Sequence, residues 1–598
     1  MTRREQSLGV VAISLLIGIS HGIAYGVEGG NQLVYLPPGL RLVDPGFLAR
    51  DWWASETTVY HVAISYLIAV LEWAHLLPWA AAAANIVLAA ATYWYAFRLI
   101  RRLSDDNAFI VWIIFIFLFV GIARSQSVAA TYLFDAELQA SSIASFATVL
   151  ALYLFVSGRM LVSGLALAVA GLFHANFLIL GILCFGLAHL FLGWRSLIRR
   201  SLLQLGPSLI VLAAHVPLIL TVSGHDLAPD MRAEAQRLII EVAAPHHYQP
   251  RLFLTHFIPL IGWNVIALAA LMFLARGQKK YRHFLAIYAS FLIVITIGTL
   301  LTTVVFIDFV SRLFVWRIAP FALFCAHMII AIAAGHVLFD RGLGVTGRVV
   351  GPTLWAGGIG IAVIVVYLAV QRSVFDPRVW VGMIGLIGLI SAWWWGRTDP
   401  IDSAGRRHRM MIGLVLLVGL VILRVPNIIA ISDSGISVTR NFNLVGTAAM
   451  DRARIDLYRW ARTTAPDSRF LVPPMLSGFR LHAGRAVYVD WKGRPFRPDE
   501  LIEWHRRIVS ITGLERWRHL EELDAAYDTL HDVQIRAIVD TNNIRYVVLD
   551  KAAKNGRSLG DVVFENDEFL VIRIAAGVAV NVRLGQGETG VFALRPAG

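Results

Sequence analysis

Apolar stretches recur from Leu8 to Ile429, and short clusters of Arg and Lys separate them. Roughly 20 apolar residues carry a helix across a bilayer. Hydrocarbon offers no hydrogen-bond partners, so such segments must satisfy their own backbone as helices. The pattern therefore restricts residues 1–429 to a helical membrane bundle. Composition agrees: 57% of the 598 residues are hydrophobic and mean hydropathy is +0.65. The net charge of +13 would suggest a nucleic-acid partner in a soluble chain. Here the basic residues sit in short loops, where they read as cytoplasmic anchors. Cys184 and Cys325 both fall inside apolar runs, which leaves no disulfide framework. Residues 8–26 follow Met-Thr-Arg-Arg without a small-residue cleavage site, and read as an uncleaved first span.

Candidate spans cover 8–26, 79–98, 108–123, 142–157, 160–173, 175–193, 203–222, 254–275, 283–305, 315–338, 349–370, 379–396 and 410–429, about thirteen in all. With that set, every basic group, from Arg3-Arg4 through Arg98/Arg101/Arg102 to Arg406/Arg407/Arg409, falls on the cytoplasmic side. One further apolar run, 58–76, would reverse every later loop if it crossed. It carries His61, Glu72 and His75 among apolar positions, which suits an amphipathic helix lying at the interface. The expected topology has a cytoplasmic N-terminus and an outer, periplasmic C-terminal domain over 430–598. That tail mixes helical stretches (447–463, 498–510, 515–530, 532–542) with β-branched runs at Phe470–Val472, Ala486–Asp490, Tyr546–Asp550 and Phe569–Ile574. The mixture predicts a small α/β domain.

The polar residues gather in the outer loops. The first, 27–57, holds Asp44 and Asp51. A carboxylate there suits a general base or a ligand to a divalent metal, while Asp44-Pro45-Gly46 also suits a plain turn. Asp51 abuts Trp52-Trp53, which read as an interfacial anchor. Asp135 and Glu137, two residues apart, share one side of an extended loop, and also suit plain solvated loop charges. His174 lies between two short spans. His246-His247-Tyr248, between Pro245 and Pro250, suits phosphate or sugar binding, without the spacing of a zinc site. Arg312 and Arg317 suit bidentate phosphate contacts or interfacial snorkelling. No nucleotide-binding glycine pattern and no serine-hydrolase signature are present, so an outer-face enzyme here must use an activated donor.

This arrangement resembles the GT-C superfamily of polytopic membrane glycosyltransferases that use polyprenyl-phosphate sugars. The likeness rests on the acidic first outer loop Asp44-Pro-Gly-Phe-Leu-Ala-Arg-Asp51, the helix 58–76 after it, and the many spans ending in an outer domain. The segment from Leu457 to Pro474 is similar to the start of outer domains in such bacterial proteins. The architecture is most like oligosaccharyltransferase catalytic subunits, whose Trp-Trp-Asp-Tyr-Gly motif is absent from the tail. The resemblance implies sugar transfer at the outer leaflet of the inner membrane to a glycan, lipid or protein acceptor. It implies Asp51 as catalytic base, with Asp44 second. It implies Asp135 and Glu137 as helpers or ligands of Mg or Mn. His174, His246, His247, Tyr248, Arg312 and Arg317 would bind substrate, the lipid phosphate above all. The competing classes are a lipid or polysaccharide transporter and an inactive scaffold; the few scattered polar residues inside the spans fit a transporter poorly.

Overall fold

In a computed structural model the chain is mostly helical. It describes residues 3–339 and 413–574, apart from 105–106, 124–127, 194–196, 275–278, 306, 422–423, 425–427, 433–434, 443–451 and 555–558. Five described helices are long and apolar enough to cross a membrane: Trp79–Leu103, Ala175–Leu192, Ile198–Ser223, Lys279–Thr303 and Val310–His336. Shorter apolar helices cover Gln6–His21, Ala108–Ile122, Ala140–Val156, Met160–Phe173 and His256–Leu271. The expected spans 349–370 and 379–396 lie outside the described residues, as does the start of 410–429.

The helices of this part are α1 (Arg3–His21), α2 (Gln32–Val43), α3 (Trp52–Glu56), α4 (Val62–Trp73), α5 (Trp79–Leu103), α6 (Ala108–Ile116), α7 (Ala140–Val156), α8 (Met160–Phe173), α9 (Ala175–Leu192) and α10 (Leu197–Ser223). They continue with α11 (Pro229–Leu238), α12 (Pro245–Tyr248), α13 (Pro250–Leu274), α14 (Arg282–Thr303), α15 (Asp308–Arg312) and α16 (Ala319–Phe339). One buried core of aromatic and aliphatic side chains runs through them, centred on Trp112, Phe119, Phe155, Phe185, Trp316 and Phe324. Small residues let the helices approach: a Cβ on Gly164 of α8 would overlap the backbone carbonyl of Gln204 in α10. The same contact carries a buried polar chain. His189 meets Gln204 Oε1 at 2.7 Å, Gln204 donates to Ser163 Oγ at 3.0 Å, and Ser163 donates to the Ala151 carbonyl at 2.7 Å. Four helices are thereby joined without leaving a polar group to lipid.

The first long loop, residues 27–57, is not open coil. Leu36 of α2 packs on Ile64 and Ile68 of α4, and Gly39 lies so close that a Cβ would sit 2.6 Å from Ile68. Pro37-Pro38 signals a loop, but α2 winds through both prolines because its apolar face has a partner. At 1.5 Å per residue the 12-residue α4 is about 18 Å long, well short of the roughly 30 Å hydrocarbon core.

A small hairpin, β1 (Ile429–Ser432) with β2 (Gly435–Val438), opens the tail. The tail's sheet comprises β3 (Arg469–Leu471), β4 (Ala486–Val487), β5 (Tyr546–Asp550), β6 (Asp561–Glu565) and β7 (Phe569–Arg573), in the order β4-β3-β5-β7-β6. β3 pairs parallel with β4 and β5; β7 runs antiparallel between β5 and β6. Helices Pro498–Thr512, Glu521–Asp528 and Asp532–Asn542 cover one face through Trp504, Ile508, Tyr527 and Val539. Helix Arg452–Arg462 covers the other, with Leu457 and Tyr458 against Phe470 and Phe479.

Candidate functional site

The tail holds the loops it faces, and four of their carboxylates are bound by it. Glu28 accepts from Ser477 Oγ at 3.0 Å, the Gly478 N–H at 2.7 Å and the Tyr458 hydroxyl at 3.1 Å. Asp226 pairs with Arg497 at 2.8 Å and Glu241 with Arg516 at 3.0 Å. The His482 ring meets the Gly26 carbonyl at 2.7 Å, and Glu500 accepts from both the N–H and the hydroxyl of Thr58.

Asp51 belongs to this set. Its side chain is 0% exposed. One oxygen caps α3 by accepting from the Ala54 N–H at 3.0 Å. The other accepts from Arg480 Nε at 2.7 Å and the Val487 N–H at 2.9 Å. Arg480, itself buried, donates on to Asp490 at 2.5 Å, and Asp490 accepts from the Gly493 N–H at 2.5 Å. Burial works against the Arg480 charge, yet Asp490 and Asp51 beside it hold its pKa above the ordinary value. Full burial and three hydrogen bonds within the protein keep this carboxylate away from an incoming hydroxyl, so Asp51, the expected base, has the place of a fastener in this fold. Asp44 is exposed and accepts from the Gly46 N–H at 2.9 Å, the turn its sequence suggested. Trp52 and Trp53 lie under tail arginines, Arg507 at 4.2 Å and Arg480 at 5.1 Å, rather than serving as a membrane anchor.

The substrate-binding candidates fare differently, and most of them converge. Phe314 adopts a left-handed backbone (φ 49°, ψ 59°), a strained state for a bulky residue. The turn after it carries Arg317, whose guanidinium lies 5.0 Å from the Phe314 ring. Arg317 is half-buried, and its Nε has no hydrogen-bond partner among the described residues. Around it run two chains of rings. Tyr35 and Tyr60 meet His61 at 5.0 and 4.1 Å, and His61 meets His174 at 5.2 Å. On the other side His247 and Tyr248 meet Phe314 at 5.0 and 5.8 Å.

These histidines are neutral at pH 7. Burial, then Arg317, depresses His61 to about 3. Burial first, with Arg317 contributing, also lowers His174 and His247 well below the ordinary imidazole value. His247 Nδ1 lies 3.0 Å from the Ala129 carbonyl. A carbonyl can only accept, so Nδ1 carries the proton and Nε2 is left as an acceptor. His246 sits 4.1 Å from His247 but is itself exposed. The positive charge therefore comes from elsewhere: from Arg317, and from the tail loop Trp491-Lys-Gly-Arg-Pro-Phe496. Lys492 donates to the Gly29 carbonyl and to Asn31 Oδ1, both at 3.0 Å. Burial, then Arg494, lowers its pKa to about 8. Arg494 donates to the Ala243 carbonyl, and Phe496 meets Tyr60 at 4.2 Å. Sequence reasoning missed Lys492, Arg494, Tyr35, Tyr60 and His61 as site residues. A basic and aromatic run in a Gly/Pro loop after a strand was the available signal.

Asp135 and Glu137 border the same cluster. Glu137 is 2% exposed and accepts from the Val27 and Gln32 N–H groups, both at 3.1 Å. Burial, then the neighbouring Asp135, raises it to about 7. Asp135 is half-buried and accepts from Gln139 Nε2 at 3.2 Å; Gln139 also donates to the Tyr132 hydroxyl at 3.0 Å. Tyr35 and Tyr132 each feel Asp135 and Arg317 together. Among the described residues no group of three or more His, Cys, Asp or Glu side chains could hold a metal ion. Arg312 lies apart from the rings, lining an adjacent cavity.

Comparison with solved structures places the fold. The chain is similar to ArnT from Cupriavidus metallidurans, solved bound to undecaprenyl phosphate, at 14% identity and a TM-score of 0.50. The match covers 96% of this chain and 99% of the other. The chain has the GT-C fold. Residues 452–511, which include Arg480, Asp490, Lys492 and Arg494, match a family described as a domain of unknown function, DUF6798. No curated protein matches the sequence.

Proposed function

We propose that this chain is a membrane glycosyltransferase. It would move a sugar from a polyprenyl-phosphate donor to an envelope acceptor at the outer face of the inner membrane. The observation that carries this reading is the guanidinium of Arg317, whose Nε has no hydrogen-bond partner among the described residues, amid neutral imidazoles and phenols and faced by Lys492 and Arg494. Cations held among half-buried rings suit a phosphate whose charge grows as a bond to it breaks. Neutral histidines and tyrosines suit sugar hydroxyls, with His247 Nε2 accepting.

The step balances simply. An acceptor hydroxyl attacks the anomeric carbon and gives its proton to a carboxylate. The bond from that carbon to the phosphate oxygen breaks, and the lipid phosphate leaves with the electron pair, held by Arg317, Arg494 and Lys492. We assign the base to Asp135, half-buried and sharing Tyr35 and Tyr132 with Arg317. Glu137 supports it, and Asp51 holds the tail loop from behind. The α4 helix would lie at the interface, with the tail outside.

The test is transfer of labelled sugar by the purified full chain in vesicles supplied with a polyprenyl-phosphate sugar. Arg317→Gln and Asp135→Asn should each lower transfer at least about a hundredfold, the scale of a lost charge-stabilising donor or base. Wild-type transfer in either variant would overturn the assignment. Movement of the lipid between leaflets without glycosyl transfer would favour a transporter.

A further inference from the structure

A cavity of about 740 Å³ opens beside the Arg317 cluster and shares none of its rings. Ser223 and His225 at the outer end of α10 form one wall, Arg232 and Arg237 of α11 the second, and Arg312 of α15 the third. Gln236 ties α11 to α15 by donating to Ser311 Oγ at 3.0 Å. The lining sets three guanidinium groups against one carboxylate, Glu241, and Arg516 already pairs with that one. Arg232 Nε is buried with no hydrogen-bond partner among the described residues. Neither Arg232 nor Arg237 pairs with a carboxylate there. A buried guanidinium nitrogen without a partner is costly, and an anion in the cavity would relieve that cost.

The helix beneath the cavity points to the kind of anion. Only 6% of the apolar window of α10 is buried within the protein, so its sides meet lipid. Val216 and Leu220, just below Ser223, are exposed at 42% and 45%. An amphiphile could lay its chains along α10 and lift its head among the arginines. We infer that this cavity binds the phosphate-bearing head of a membrane lipid, separately from the Arg317 cluster and whatever reaction that cluster performs. Arginine forks fit phosphate oxygens bidentately, and the cavity is of ligand size.

The full chain in neutral phosphatidylcholine nanodiscs should bind short-chain phosphatidic acid saturably, as read by native mass spectrometry. Arg232→Gln with Arg237→Gln should weaken that binding about tenfold or more, for two lost charge-assisted contacts. Arg317→Gln should leave it unchanged. Polyprenyl phosphate that binds the double variant as well as the wild type and does not displace phosphatidic acid would support two separate sites, and its displacing phosphatidic acid would overturn the inference. Undiminished phosphatidic acid binding in the double variant would overturn the inference. So would its loss in Arg317→Gln, or inorganic phosphate binding as well as the lipid.

Discussion

Asp51→Asn separates two roles that a first-loop carboxylate can have. In the fold, Asp51 is fully buried and accepts three hydrogen bonds, two of them on the oxygen facing Arg480 and Val487. An amide keeps the shape but has one acceptor oxygen. Whichever way it turns, an N–H group faces another donor, at Ala54 or at Arg480 and Val487. Breaking a buried ion pair costs about 3–5 kcal/mol. Asp490 still neutralises Arg480, so the lower end applies, about 3 kcal/mol or roughly a hundredfold in the docking equilibrium. Arg480→Met belongs at the upper end, about 5 kcal/mol, because two buried carboxylates then face each other unpaired. Hydrogen exchange should read this directly. The Val487 amide donates to Asp51 and the Gly493 amide to Asp490, so the peptide spanning 486–494 should exchange about a hundredfold faster in Asp51→Asn. Glycosyl transfer should fall in step with that loss of protection, since the loop carries Lys492 and Arg494. An Asp51→Asn protein with native exchange over 486–494 and no transfer would refute the fastener reading and make Asp51 the base.

Glu137 sets a pH signature. Its folded pKa of about 7 lies above its ordinary 4.5, so the folded state binds more protons between those values. Stability should therefore fall as pH rises from about 4.5 to 7, by at most about 3 kcal/mol, and Glu137→Gln should flatten that slope in melting measurements. Gly493→Ala would drive a Cβ into the Arg480 guanidinium and to 2.9 Å from Asp490 Oδ1. It should weaken donor binding at least about tenfold, measured with polyprenyl phosphate, while the sheet of the tail keeps its melting behaviour. For topology, Arg102→Cys at the exposed end of α5 should react with an impermeant thiol reagent from the cytoplasmic side alone. Cys184 and Cys325 are buried and should stay silent.

The bundle and the tail's strands were legible because each follows a local pattern. Tyr546–Asp550 and Phe569–Arg573 are β-branched runs in the sequence and neighbours in the sheet. Helix α2 was not legible, since Pro37-Pro38 argues for a loop and only the packing of Leu36 against α4 overrides it. β6 was missed because its apolar run, Val562-Val563-Phe564, is only three residues long between charged residues, and as an edge strand it leaves three of its five residues exposed. That His174, His247, Tyr248 and Arg317 could be singled out from the sequence follows from how few charged and aromatic groups the loops between spans carry, and the fold brings these four close together. The contact that Asp51 makes was not legible, for the opposite reason. Its partner Arg480 lies 429 residues away, and no local pattern reports a contact at that distance. Lys492 and Arg494 were hidden likewise: their role depends on the tail folding back onto Asn31 and Ala243.

That long-range stitch has a consequence for how the protein is made. The first long loop emerges early in synthesis, yet Glu28 and Asp51 receive Tyr458, Ser477 and Arg480 only when the last quarter of the chain has been made. Until then Asp51 must remain hydrated, because an unpaired carboxylate does not stay buried. α3 and the strip around it therefore cannot reach their final state during insertion. Maturation ends with the tail closing over a loop that has been waiting since the start. A truncated or mistranslated tail would leave that loop open to proteases, so the protein carries its own check on completeness.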